Sequence, residues 1–356
     1  MPDAEFSYIW ICNDANDTVS KVDTRTLVEH ARYIAGGTDP SRTSISLNGD
    51  AAVASRGMGW GTAGIAKFLT RQSHCEENDY NGDGELTTSS GKDDVLPFGE
   101  DDCLQWFVEF DGALSNRPVA WTTGVQGADG YWNDAKLWTS YTVGSDHKVA
   151  LLNGDTGEIE DEVSISLTEY AYGAAVDEDN DLWVMNRNRS LIQIDFDTLE
   201  VETHTVPGGS PYGIAVARDQ SVWVTTDSYS TFRFDPQTEQ FDAVEDARGL
   251  GVMVDVDNRV WIAGTYSGAN ANNLIGVNGD TLEIIGFYDF GSSETRGISI
   301  DFDGFVWMVN RADTAYKFDP EAEELAGTYT GLDNPYTYSD MTGYGLGAAN
   351  PDIPIE

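Results

Sequence analysis

Gly213-Ile-Ala-Val-Ala217, a short polar turn, then Val222-Trp223-Val224 is the stretch from which the fold can be read. It recurs three times. Gly173-Ala-Ala-Val-Asp177 precedes Leu182-Trp183-Val184, Gly251-Val-Met-Val-Asp255 precedes Val260-Trp261-Ile262, and Gly297-Ile-Ser-Ile-Asp301 precedes Val306-Trp307-Met308. The tryptophans are 40, 38 and 46 residues apart. Each unit holds four short β-prone runs. Strand A is the Gly-Ile-Ala-Val-Asp run and strand B carries the Trp. Strand C is Ile192–Asp195 or its equivalents, and strand D follows a second turn such as Asn278-Gly-Asp-Thr-Leu282. A period near 40 residues with four strands per repeat predicts an all-β propeller of four-stranded antiparallel blades.

Upstream the pattern is degraded but continues. Arg117–Trp121 and Leu137-Trp138 begin blade 3, and Arg42–Ser46 through Phe110 forms blade 2. Tyr8-Ile-Trp-Ile11 reads as a strand B with no strand A before it. Residues Pro335–Gly343 are expected to supply that strand from the other end, closing a seven-bladed ring and covering its edges. The expected domain is 1–343. It carries a Cys-bracketed insertion at 70–103, and a tail, 344–356, trails along the surface.

The Gly-Ile-Ala-Val-Asp…Val-Trp-Val pattern resembles the streptogramin B lyase-like and NHL-type seven-bladed propellers. Phe6–Ile11, Pro40-Ser-Arg-Thr-Ser44 and Arg117–Trp121 also resemble uncharacterised secreted propellers of deltaproteobacterial type. The resemblance to the lyases implies a metal held among histidines and a glutamate, with a His as acid/base. The chain has four histidines. His30 and His204 fall in D strands, His147 in a C strand and His74 in the insertion, so none opens an A strand at the channel.

The balance of 20 bases against 61 acids gives a net charge of −41. Such a chain repels nucleic-acid phosphate and anionic lipid. No apolar run approaches the length of a membrane span, and Met1–Tyr8 is not a signal peptide. Within the insertion, Asp79-Tyr-Asn-Gly-Asp-Gly-Glu85 places oxygen ligands at the first, third and fifth positions of a Ca²⁺ loop, with Gly at the sixth and Glu85 at the seventh. Ser90 stands where the closing bidentate Glu would be, so Asp93 or Asp94, or Asp101 or Asp102, is expected to complete the shell. Cys75 and Cys103 bracket this loop and predict a disulfide, with structural Ca²⁺ as the cofactor. Cys12 reads as a buried small hydrophobe. A disulfide implies an extracellular, periplasmic or cell-surface setting.

Charge is sorted between the two faces of the propeller. The A–B and C–D turns are acidic, whereas eight of the 14 arginines lie on the opposite, B–C/D–A face. Arg42, Arg117, Arg248 and Arg296 precede or open A strands; Arg56 and Arg187 follow B strands, as do Arg189 and Arg311. Aromatic residues share that face: Trp60, Tyr172, Tyr212, Tyr229, Tyr266 and Tyr336. Arginines with aromatic faces suit an anionic or polar glycan, or a protein partner. The leading expectation is therefore a secreted binding propeller, with Arg42, Arg117, Arg248, Arg296, Arg56, Trp60, Arg187 and Arg311 as ligand contacts. The alternative is a lyase in which Tyr172, Tyr212 or Tyr336 is the base and an arginine neutralises the substrate carboxylate. A third possibility is a structural subunit of a surface assembly.

Overall fold

The computed structural model describes residues 7–265, 267–268 and 270–355. Among them, seven antiparallel sheets form the blades of a propeller. Blade 1 has three strands, Tyr8–Asn13, Thr18–Asp23 and Glu29–Ile34. The other six have four each, with strands A at Pro40–Ile45, Ala113–Trp121, Ala171–Val176, Pro211–Val216, Gly249–Val254 and Thr295–Ile300. Burial follows position in the blade: Pro211–Val216 is buried throughout, whereas the outer strand Val201–Thr205 of blade 4 is almost wholly exposed.

Two features of the repeat have direct physical causes. The first is its glycine. A Cβ on Gly213 would lie 2.2 Å from the Leu250 carbonyl oxygen of the next blade, and one on Gly297 would lie 2.3 Å from that of Thr337. Neighbouring A strands converge at the axis, and only glycine admits that approach. The second is its aspartate. Asp177, Asp255 and Asp301 end strand A and accept the indole N–H of Trp183, Trp261 and Trp307 at 2.8, 3.0 and 2.8 Å. Their other oxygen accepts backbone N–H groups of the A–B turn. In blade 5 the position is Ala217, and Trp223 Nε1 is buried without a partner.

The ends of the chain meet as expected, but the closing segment is not a strand. Tyr336 N–H donates to the Cys12 carbonyl (3.2 Å) and Trp10 N–H to that of Met341 (2.9 Å), with a single bridge from Asn13 to Pro335. Between these bonds the segment turns away: Ser339 has φ 82° and Tyr338 bridges to Arg42 of blade 2 instead. Arg32 of blade 1 seals the seam through Asp333 (2.5 Å) and the Gly331 carbonyl (2.6 Å).

The expectation for 344–356 needs correction. Tyr344–Ala349 is a helix (α2) whose Tyr344, Leu346, Ala348 and Ala349 are all buried, packed against the A strands of blades 4 to 7. A short apolar run beside an open channel buries itself there rather than in solvent. The Asp340 carboxylate accepts the Gly343 and Leu346 N–H groups at 2.9 and 2.8 Å, fixing the turn into α2. The channel keeps a void of about 40 Å³ against Ala174, Ala215 and Leu346.

Candidate functional site at the channel mouth

The first residues of A strands 4 and 5 deliver Tyr172 and Tyr212 to the B–C/D–A end of the channel, and the closing segment adds Tyr336 and Tyr338. Their hydroxyls form one network: Tyr172 to Tyr336 at 3.1 Å, Tyr212 to Tyr336 at 3.3 Å, and Tyr212 to Tyr338 at 2.5 Å. Five arginines surround it. The Arg117 guanidinium sits 3.8 Å from the Tyr172 ring centre, and that of Arg42 sits 3.7 Å from Tyr338. Arg56 and Arg311 lie 4.6 and 5.0 Å from Tyr336, and Arg187 lies 4.9 Å from Tyr212. A planar guanidinium can lie flat against a ring face, which arginine does more often than lysine.

The arginines divide by partner. Arg56 pairs with Asp14, which Arg311 also approaches at 3.8 Å, and Arg187 pairs with Asp227. These pairs join adjacent blades. Among the described residues, Arg42 and Arg117 have no carboxylate within 4.0 Å. Arg42 donates to the Tyr172 carbonyl at 2.8 Å, while Arg117 Nε and Nη2 are buried without hydrogen-bond partners.

Arg117, a buried cation without a carboxylate, reshapes the titration of Tyr336. Burial resists a charge on Tyr336. Arg117, together with hydrogen bonds from its tyrosine neighbours, outweighs burial and holds the phenol down at about 5. An ionised Tyr336 accepts from Tyr172 and Tyr212, which leaves Tyr212 to accept from Tyr338. Tyr212 and Tyr338 move the other way, pushed well above the ordinary phenol range by burial and then by neighbouring tyrosines. Arg42 is drawn down to about 10 by burial and then by Arg117.

The remaining sequence candidates fall elsewhere. Arg296 is buried, donates to the Thr295 carbonyl at 2.9 Å and acts electrostatically on Tyr212. Arg248 is not brought to the tyrosines. It donates to the Ser267 carbonyl at 2.8 Å, beside a hollow of about 210 Å³ lined also by Tyr229 and Asp246. Trp60 is 74% exposed in the B–C turn of blade 2; Tyr266 lies outside the described residues. Tyr338 is a member of this network that the sequence did not single out, although Tyr336, two positions earlier in the same closing segment, was.

In the insertion, Cys75 and Cys103 are bonded, with Cα atoms 4.5 Å apart. Cys12 is a buried free thiol, pushed up to about 12 chiefly by burial. Loop oxygens of Asp79, Asn81 and Asp83 accept the N–H groups of Gly84, Asp83 and Glu85. Asp93 pairs with Lys92, and Asp94 accepts from Ser90. Among the described residues, no three His, Cys, Asp or Glu side chains gather around a point where they could hold a metal ion. His30 and His204 lie in outer strands, His147 in the C strand of blade 3 and His74 in the insertion helix α1, Gln72–Asn78.

This geometry defines a seven-bladed propeller of the streptogramin B lyase shape. A functionally unknown protein from Desulfotomaculum acetoxidans superposes with a TM-score of 0.64 at 12% identity, covering 92% of this chain and 96% of its own. Virginiamycin B lyase from Staphylococcus aureus superposes with a TM-score of 0.56 at 14% identity, over 85% and 89% of the two chains. A streptogramin B lyase gives 0.55 at 17% identity, over 86% and 92%. At these identities the likeness is one of fold. Comparison with protein-family models and with curated proteins returns no match.

Proposed function

We propose that this protein is a binding propeller that takes a carboxylate-bearing ligand, such as a uronate-containing glycan, at the channel mouth. One observation carries the reading: Arg42 and Arg117 are buried together without a carboxylate, in a chain whose net charge is −41. A buried cation needs a counter-charge. Tyr336 supplies one when ionised, and a ligand carboxylate offers a bidentate partner in its place. Arg187 and Arg311, with side chains 29% and 36% exposed, form the approach. Titration with trigalacturonate against wild type and Arg117→Ala tests this directly.

A second reading is catalytic. The three tyrosines that a lyase would draw on as base share one network, and Tyr336, held down by Arg117, carries the acceptor oxygen. There the phenolate would take the proton beside a carboxylate neutralised by arginine. The unsaturated-uronate chromophore, formed with polygalacturonate and lost in Tyr336→Phe, is its test.

The Cys75–Cys103 bond supports an oxidising setting, extracellular, periplasmic or at the cell surface. Among the described residues, no helix is long and apolar enough to cross a membrane. Calcium at Asp79, Asn81, Asp83 and Glu85 rests on the spacing of hard oxygens in that loop.

A further inference from the structure

The segments that break the repeat meet at one place. Between strands A and B of blade 3, a small hairpin pairs Val125–Gln126 with Trp132–Asn133. Between strands C and D of blade 2 stands α1, and after α2 the chain continues to Ile355. All three border one cleft of about 830 Å³ on the face opposite the channel mouth, reaching Lys67, Gln105 and Asp155. In repeat proteins, insertions gathered on one face mark a binding face. The volume falls within the range of small-ligand sites.

Each wall is held in place. Asn48 grips the hairpin through the Trp132 carbonyl (2.6 Å) and the Trp132 N–H (2.9 Å). Helix α1 is tied by the Cys75–Cys103 bond and by Asn78, which donates to the Asp102 and Leu104 carbonyls at 2.8 Å. The final segment is held by Arg218, which donates to the Pro351 carbonyl at 2.5 Å. The cleft is thus built before a ligand arrives, which lowers the cost of binding.

The lining selects the ligand. Tyr131 and Trp132 supply flat aromatic surface between amides and carboxylates. Asp50, Glu77, Asp129 and Asp155 outnumber Lys67 and Arg71 along the walls, which disfavours an anion. Lys67 is already engaged, with the Gly154 carbonyl at 3.0 Å and Asp50 at 3.6 Å. Gln105 Oε1 is buried with no hydrogen-bond partner, while its Nε2 donates to the Asp155 carbonyl at 3.1 Å. Aromatic faces beside mixed donors and acceptors fit the apolar ring faces and hydroxyl edges of a sugar. We infer that this cleft is a second binding site, for a neutral oligosaccharide of a few residues, separate from the mouth.

The test titrates the full chain calorimetrically with cellotetraose, maltotetraose and mannotetraose. At least one should bind. Trp132→Ala and Tyr131→Ala should each weaken it about tenfold, as expected for a lost stacking partner, and Arg117→Ala at the mouth should leave it unchanged. If either variant fails to fold, Gln126→Ala, on the exposed outer part of the hairpin, should still weaken binding. No heat with any of the three sugars at millimolar concentration overturns the inference, as does undiminished binding in the folded cleft variants. Uronates play no part in this test, so its failure leaves the mouth reading intact.

Discussion

The guanidinium of Arg117 lies 3.8 Å from the ring centre of Tyr172, buried, with two nitrogens lacking hydrogen-bond partners. Tyr172 in turn bonds Tyr336 at 3.1 Å. A strand-A arginine from blade 3 thereby governs a phenol contributed by the closing segment.

Tyr336 should be ionised at neutral pH, visible as a tyrosinate band in the near ultraviolet that Tyr336→Phe removes. Its folded-state value of about 5 lies below the ordinary phenol value of 10.0. The native state therefore binds fewer protons than the unfolded chain across that window, and this group's contribution to stability rises with pH from about 5 to about 10. It is lost as pH falls through 5. Melting curves of wild type and Tyr336→Phe should diverge accordingly; parallel pH profiles would show a neutral phenol.

Arg56 should behave as a strut. It is mostly buried against Asp14, and Arg56→Ala should cost about 3–5 kcal/mol by leaving that carboxylate short of a partner. Arg117→Ala removes a cation with no carboxylate and should cost less. Denaturant melts of the two variants check the order.

The aspartate that latches the blade tryptophan gives a further measurement. Asp301 is buried, accepts from Trp307 Nε1 and faces Lys317 at 3.4 Å. Asp301→Ala should cost about 3–5 kcal/mol by stranding the lysine. For Asp177 the pH sign is opposite to that of Tyr336. Burial above all raises its carboxyl to about 6. The native state keeps a proton that the unfolded chain has released, so this contribution falls as pH rises from about 4 to about 6. A flat difference between wild type and Asp177→Asn over that range would contradict it.

The Cys75–Cys103 bond closes a loop spanning 28 positions. Replacing both cysteines by serine should lower stability by roughly 3–4 kcal/mol in the chain-entropy account. If Asp79, Asn81 and Asp83 hold calcium, chelation should lower the melting temperature, because a ligand bound only by the native state stabilises it. An unchanged melt with and without millimolar calcium would remove the metal from the account.

The later blades were legible because each combines an axial glycine with a tryptophan, and three of the four add a turn aspartate; each of these residues has a fixed job in packing. The disulfide was legible from its bracketing of an insertion, and the gathering of Arg42, Arg117, Arg56, Arg187 and Arg311 from their positions beside strands A and B. Three features were not. The hairpin around Trp132 has strands of two residues, too short to show alternation. Helix α2 has six residues with two glycines, a poor helix former whose stability comes from burial in the channel. Arg248 stands three residues before Gly251, just ahead of its A strand, whereas Arg296 directly precedes Gly297 inside its own, and the neighbouring loop carbonyl of Ser267 captures Arg248.

The central claim, that the mouth binds carboxylate-bearing ligands through Arg117, is tested most directly by calorimetric titration of trigalacturonate into wild type and Arg117→Ala. The account predicts saturable binding by wild type that Arg117→Ala abolishes while the variant stays folded at the assay temperature. Equal binding by the two proteins, or no binding by wild type, would contradict it.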